Sequence, residues 1–238
     1  KCSKREQRLD KFITWAQQLD FDSVIQTALI VCASLLCITF HETCHGYAAY
    51  LLGDPTAKRA GRLTLNPLRH IDLVGLVMMA VVHFGWAKPV PVDMRNFKNP
   101  KAGMAITALA GPLANVVLAY IAVVLYMALE AVYRVKAAVW LLYVLSFLSW
   151  VLVISAGLAV FNIFPIPPLD GSKVLFALLP ARAYDKLMRY ERYGMALLAI
   201  LLLTNVLDAP LTFLREGLLD LLTKGGSWAF KLTLKCLM

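Results

Sequence analysis

The sequence predicts an all-α polytopic membrane protein, a helical bundle around a three-helix core with a small membrane-associated strand or hairpin element beside it. Three observations carry this expectation. Of the 238 residues, 60% are hydrophobic and 16% charged, and the mean hydropathy is +0.66, a balance far from that of a soluble domain. Residues 27–52, 102–129 and 138–164 form apolar runs longer than the roughly 20 residues with which a helix crosses about 30 Å of hydrocarbon. Between and after these runs, prolines recur at spacings that no regular helix tolerates.

Taken in order, residues 1–26 mix charge with Phe12, Ile13, Trp15, Leu19 and Phe21 at near-helical intervals. That pattern suits an amphipathic helix on a membrane surface, and equally a solvated segment. The run opening at residue 27 is too long for the apolar part of a signal peptide and is followed by no small-residue cleavage site, so it reads as a retained span. The stretch "GDPTAKRAGRLTLNPLRHID" (53–72) is a Gly-, Pro- and Arg-bearing loop outside lipid. Residues 73–86, 195–207 and 211–222 are apolar but near or below about 17 residues, which fits short spans, re-entrant pieces or interfacial helices.

"FGWAKPVPVDMRNF" (84–97) alternates apolar and prolyl positions as an edge strand does, and an exposed edge pairs with another chain. In the second long run, "AGPLAN" (110–115) lets helices approach at Gly111 and bends the ladder at Pro112. The third runs into "FNIFPIPPLDG" (161–171), where Pro165, Pro167 and Pro168 free backbone carbonyls near membrane depth, tolerated only against protein or a cavity. There is no internal repeat. Three units follow: 1–26, a core over 27–180, and C-terminal helices with a basic tail (Lys224, Lys231, Lys235) over 181–238.

The formal charge of +9 does not indicate nucleic acid, because the 24 Lys and Arg form no basic helix or aromatic-interleaved stripe. They read as topological signals: Lys88, Arg95, Lys98 and Lys101 mark one connection and residues 165–193 another, and both are expected to face the cytoplasm. Cys2, Cys32, Cys37, Cys44 and Cys236 show no paired spacing, so no disulfide framework is expected.

The polar triplet in "LLCITFHETCHGYAAYLL" (35–52) is the chemically informative feature. His41 and His45 are four apart, one turn above each other on a helix, and direct two imidazoles at one point. Glu42 is offset by one residue, beside a bound metal rather than on it, where a base takes a proton from water. An unpaired carboxylate in mid-span costs on the order of 3 kcal/mol, so a cation with water is the better account of its presence. A catalytic zinc needs a third protein ligand. Asp170 is the best candidate, because the proline-broken segment before it can carry it back into the membrane, whereas Asp54, Asp72, Asp93 and Glu130 sit in connections or at helix ends and read as solvated. Asp170 also reads as the N-cap of "DGSKVLFALL". His70 and Asp72 read as solvated, His83 as interfacial, and Cys44 as packing.

On these motifs the chain resembles the site-2 protease family of intramembrane zinc metalloproteases, in a compact form without PDZ or nucleotide-sensing modules. The HExxH element is matched by His41, Glu42 and His45, the NxxPxPxxDG element by Asn162, Pro165, Pro167, Asp170 and Gly171, and the GPxxN element by Gly111, Pro112 and Asn115. The resemblance covers residues 27 to about 180. It implies that His41, His45 and Asp170 hold a single zinc ion, that Glu42 is the general base, and that Asn115 and Asn162 lie beside the scissile peptide. The expected activity is hydrolysis of a membrane-anchored peptide or protein within the lipid bilayer. Val90 and Val92, on the predicted strand, are expected to pair with the unwound substrate.

The alternative is a non-catalytic zinc-binding membrane protein, a transporter or a degenerate protease relative. A transporter is disfavoured by the lack of repeats, and a degenerate relative by the presence of Glu42. The expected location is a bacterial or archaeal cytoplasmic membrane. If 73–86 crosses, residues 1–26 are cytoplasmic; if it dips in without crossing, the helix bearing the triplet ends in the cytoplasm and the site opens there, the arrangement preferred because His45 lies only seven residues, about 10 Å, from Leu52.

Overall fold

The computed structural model describes residues 21–72, 88–180, 183–184, 187 and 193–237. Within them the helices are α1 (Phe21–Leu51), the short α2 (Thr56–Arg59), α3 (Pro100–Lys136), α4 (Val139–Ile163), α5 (Asp170–Ala177), α6 (Gly194–Leu203) and α7 (Asp208–Leu237). The expectations for residues 1–20, for the 73–86 segment and for His83 lie outside the described residues. Three helices, α1, α3 and α4, are long and apolar enough to cross a membrane, and at 1.5 Å per residue α1 and α3 reach about 46 and 55 Å.

Helix α1 begins at Phe21, six positions ahead of the apolar run. Polar partners on α4 account for the extension: Tyr143 Oη donates to Asp22 Oδ1 at 3.3 Å and Ser146 Oγ to Gln26 Oε1 at 3.0 Å. Helix α3 starts on a cap, with Asn99 accepting from the Ala102 N–H and Pro100 as first residue. It ends at Ala137 in the left-handed region (φ 47°), and one further residue leads into α4, so the two pack as an antiparallel pair.

The centre of the bundle joins Ala33 and Cys37 of α1 with Ala119, Ala122 and Val123 of α3, Val151 and Leu152 of α4, and Leu222 of α7. Small side chains dominate, which brings backbones close and lets dispersion replace the hydrophobic effect that lipid does not supply. The buried polar pair there is mutually satisfied: Ser155 Oγ donates to Cys37 Sγ at 3.1 Å. Outward, Leu113, Val117, Ile121 and Leu125 form an exposed i, i+4 stripe on α3, which suits hydrocarbon and not water. Cys32, Cys37, Cys44 and Cys236 are free.

The expected strand is not found among the described residues. Residues 88–93 are neither helical nor in a ladder; their backbone groups are taken by side chains and loop atoms instead of a neighbouring strand. At one end the Asp93 N–H donates to Asp54 Oδ2 at 2.7 Å and Asn96 Nδ2 donates to Asp54 Oδ1 at 2.7 Å. Asp54 is therefore not solvated as its loop position suggests: it is fully buried, and it also accepts from the Thr56 N–H and hydroxyl. His70 is likewise buried, donating through Nε2 to the Thr64 carbonyl at 2.9 Å.

Burial works against the Asp54 charge, but the Thr56, Asp93 and Asn96 donors outweigh it and hold the carboxyl below its usual range. A depressed pKa means stability present above the unfolded value of roughly pH 4 and lost as pH falls through the folded one. Protection of the amides over 53–56 and 93–96 against hydrogen exchange is expected to fall on acidification below about pH 4, and Asp54→Asn should lower it already at neutral pH.

The proline segment after α4 is sheltered by the C-terminal helices. Leu169 clusters with Leu198 of α6 and Leu207, with Phe161, Phe164 and Ile166 packed against them. Gly171 admits the return of the chain, because a Cβ there would run into the Ile163 carbonyl. Helices α6 and α7 meet at 88° across residues 204–207, and α7 continues to Leu237, so the lysines expected in a tail are helical.

Candidate metal centre and cavity

Helix α1 sets His41 and His45 one turn apart with ring centroids 4.5 Å from each other, edge to face. The prolines end α4 at Ile163, and α5 opens at Asp170 with its carboxylate against both rings: Oδ2 lies 3.2 Å from His41 Nε2 and 3.0 Å from His45 Nε2. One potential ligand atom from each of the three residues falls within 4.8 Å of the others, and all three are buried, at 5, 8 and 9% exposure. The cap position of α5 falls on Leu169, which has no side-chain acceptor, so the capping role read for Asp170 is not the one its carboxylate performs.

The donor set fits zinc. Two imidazole nitrogens and one carboxylate oxygen facing one buried point is the ligand chemistry of a catalytic site with a position to spare. The far ring nitrogens support it. His45 Nδ1 lies 2.7 Å from the Thr107 carbonyl, which accepts only a proton, so Nε2 keeps its lone pair. Asn115, fully buried on α3, sets its amide Nδ2 3.1 Å from His41 Nδ1, and its Oδ1 has no partner among the described residues. Exchanging the two amide atoms, which occupy the same space, would give the orphaned Oδ1 the His41 Nδ1–H and leave Nε2 free for a cation.

Gly111 forms the floor. A Cβ at this position would collide with Nε2 and Cε1 of His45 and lie 2.7 Å from Cε1 of His41, so α3 meets the imidazole pair through a hydrogen atom. Close helix approach is readable from "AGPLAN", but the partner in that approach is not.

Glu42 stands beside the triad, outside it. Its Oε2 accepts from the Val90 N–H at 3.0 Å, and together with His41, His45 and Asp170 it lines a cavity of about 280 Å³. Val90, Val92 and Asn162 line the same cavity; Val90 is nearly buried, and Asn162 Nδ2 donates to the Leu158 carbonyl at 3.0 Å. Asn115, expected with Asn162 beside a substrate, touches His41 instead of lining the cavity. Lys173, not anticipated, also lines it, with Nζ 3.8 Å from Asp170 Oδ1. The i, i+3 spacing from Asp170 at a helix start was the available signal. Cys44, His70 and Asp72 are not part of the cluster.

Comparison with known proteins finds relatives among zinc metalloproteases. Residues 131–205 match the profile described as "Peptidase family M50". Over 175 residues the chain is 37% identical to a Bacillus subtilis protein provisionally named zinc metalloprotease YwhC, covering 74% of this chain and 80% of that one. Two mycobacterial proteins provisionally named zinc metalloprotease Rip2, from Mycolicibacterium smegmatis and Mycobacterium tuberculosis, are 29% and 26% identical over 184 and 185 residues, each match covering 76% of this chain and 68% of the relative. No solved structure matches the chain.

Proposed function

The chain belongs to peptidase family M50, the site-2 protease family, and from that premise we propose that its zinc metalloprotease activity resides in the cluster of His41, His45, Asp170 and Glu42. It is a membrane-spanning metalloprotease, and the observation that carries the site assignment is the convergence of two imidazoles and a carboxylate with a second carboxylate at the same cavity. His41 Nε2, His45 Nε2 and an oxygen of Asp170 would hold one zinc ion. When bound, zinc supplies Lewis acidity toward the substrate carbonyl and makes water a better nucleophile at neutral pH.

Glu42 takes the proton of the attacking water as its oxygen adds to the carbonyl carbon, and delivers it to the departing amide nitrogen as the C–N bond breaks. Thr107, and Asn115 with its amide oxygen toward His41, keep the imidazoles in the tautomer that binds metal. Asn162 and the ammonium of Lys173 are the polar and cationic groups available to the substrate main chain and to developing negative charge. A non-catalytic zinc protein would leave Glu42 only its hydrogen bond to the Val90 N–H.

The cavity is too small for a helix, so the substrate enters as an extended segment of a membrane-anchored chain along the wall formed by Val90 and Val92. The end of α1, the loop with Lys58, Arg59, Arg62 and Arg69, and the segment with Lys88, Arg95, Lys98 and Lys101 belong to one end of the bundle, while the α3–α4 turn carries Arg134 and Lys136. The positive-inside bias supports a cytoplasmic opening.

Purified protein is expected to carry one zinc per chain and to cleave a transmembrane peptide. Asp170→Ala should lose the metal and the cleavage while remaining folded in detergent. A variant that retains stoichiometric zinc would remove Asp170 from the ligand set.

A further inference from the structure

A single peptide group ties Glu42 to the wall of the cavity, and its opposite edge is gripped by a buried cation. The Val90 N–H donates to Glu42 Oε2, and the carbonyl of that same peptide, Pro89 O, accepts from Arg62 Nη2 at 3.1 Å. The same nitrogen donates to Lys88 O at 2.6 Å. Arg62 is 7% exposed, and a guanidinium taken out of water and set against main-chain carbonyls is a costly arrangement.

The geometry makes that grip informative about Glu42. A peptide is planar with O and N–H on opposite edges, so fixing one edge aims the other. Pro89 and Pro91 fix their own φ, and each drives the residue before it, Lys88 and Val90, into extended backbone. The strap is therefore stiff on both sides of the gripped peptide. Two further contacts hold it: the Lys88 N–H donates to His70 O at 2.9 Å, and the Val90 side chain is buried against Gly46.

We infer that Arg62 is a positioning residue for Glu42, acting through the Pro89–Val90 peptide. It holds Oε2 on the strap, so that the carboxylate keeps one orientation and Oε1 is the oxygen that serves the attacking water. The cation at the carbonyl edge also polarises the peptide and strengthens its N–H as a donor. This rests on the reading of Glu42 as the base.

The test is amide hydrogen exchange at Val90 in the zinc-loaded protein, combined with steady-state kinetics. Prolines on both sides carry no amide, so the Val90 signal stands alone. Val90 is expected to be protected in the wild type and to exchange roughly tenfold faster in Arg62→Met. In that variant kcat should fall by about 100-fold, as a base misplaced by about 1 Å would cause, with KM within about threefold and zinc content unchanged. Arg62→Lys, able to reach a single carbonyl, should recover part of kcat and of the protection. An unprotected Val90 amide in the wild type, or Arg62→Met at full kcat, overturns the inference. If Arg62→Met does not fold, Arg62→Lys decides alone: kcat and Val90 exchange both equal to wild type overturn it. Turnover retained in Glu42→Gln would instead sink the base assignment while leaving the exchange result on the strap intact.

Discussion

Glu42→Gln is expected to keep the zinc and to lose turnover by about 10²–10⁴-fold, the range a positioned proton-transfer group supplies. The substitution is discriminating because of what Glu42 does and does not touch. Its carboxylate is not one of the three atoms gathered at the metal point, so the ligand set survives. Its Oε2 accepts the Val90 N–H, and the carboxamide oxygen of Gln can do the same, so the strap survives too. Only basicity is removed. Zinc quantification on the purified variant, alongside cleavage of a transmembrane peptide in the same preparation, checks both halves. Loss of zinc would mean that Glu42 is a ligand, and unchanged cleavage that another group moves the proton.

The second large effect is expected at a residue with no functional group. Gly111→Ala places a methyl into the space occupied by the His45 ring, with His41 close behind. Neither imidazole has room to yield: His45 is tied to the Thr107 carbonyl, His41 to Asn115, and both contact Asp170. We expect zinc affinity to drop roughly 100-fold, as when a ligating histidine loses the group that orients it, and activity to follow the metal. Gly157→Ala on α4 is the control, since a methyl there meets nothing within 4 Å. A metal titration that separates the two variants supports the floor role of Gly111; equal affinities would end it.

How far the molecule is legible from its sequence depends on whether the relevant physics is local. The three long helices are, because lipid demands uninterrupted apolar length and the runs at 27–52, 102–129 and 138–164 supply it; α3 and α4 fall within a few residues of their runs at three of four ends. The pairing of His41 with His45 follows from helical period alone. That Asp170 meets them is legible through the three prolines, which bar any continuation of α4 and leave a short segment to turn back. What is not legible depends on which distant group comes to rest against a residue. Asp54 in a Gly-Asp-Pro loop looks solvated until Asp93 and Asn96, some 40 residues on, close over it. The Lys-Pro-Val-Pro stretch has the backbone preference of a strand, yet its hydrogen bonds go to Arg62 and Glu42 rather than to a neighbouring strand. Asn115 is recognisable as important, but its contact with His41 Nδ1 appears only once α3 lies against α1.

The three side chains proposed to hold one ion lie at residues 41 and 45 and then not again until residue 170. During synthesis the chain emerges N-terminus first, so the imidazole pair and its neighbouring base are threaded into the bilayer long before the carboxylate exists. A ribosome-bound fragment ending anywhere before α5 holds two of the three proposed ligands and lacks the third. On that reading hydrolytic competence cannot precede α5, which is made after the three long helices and before the C-terminal helices that close over it.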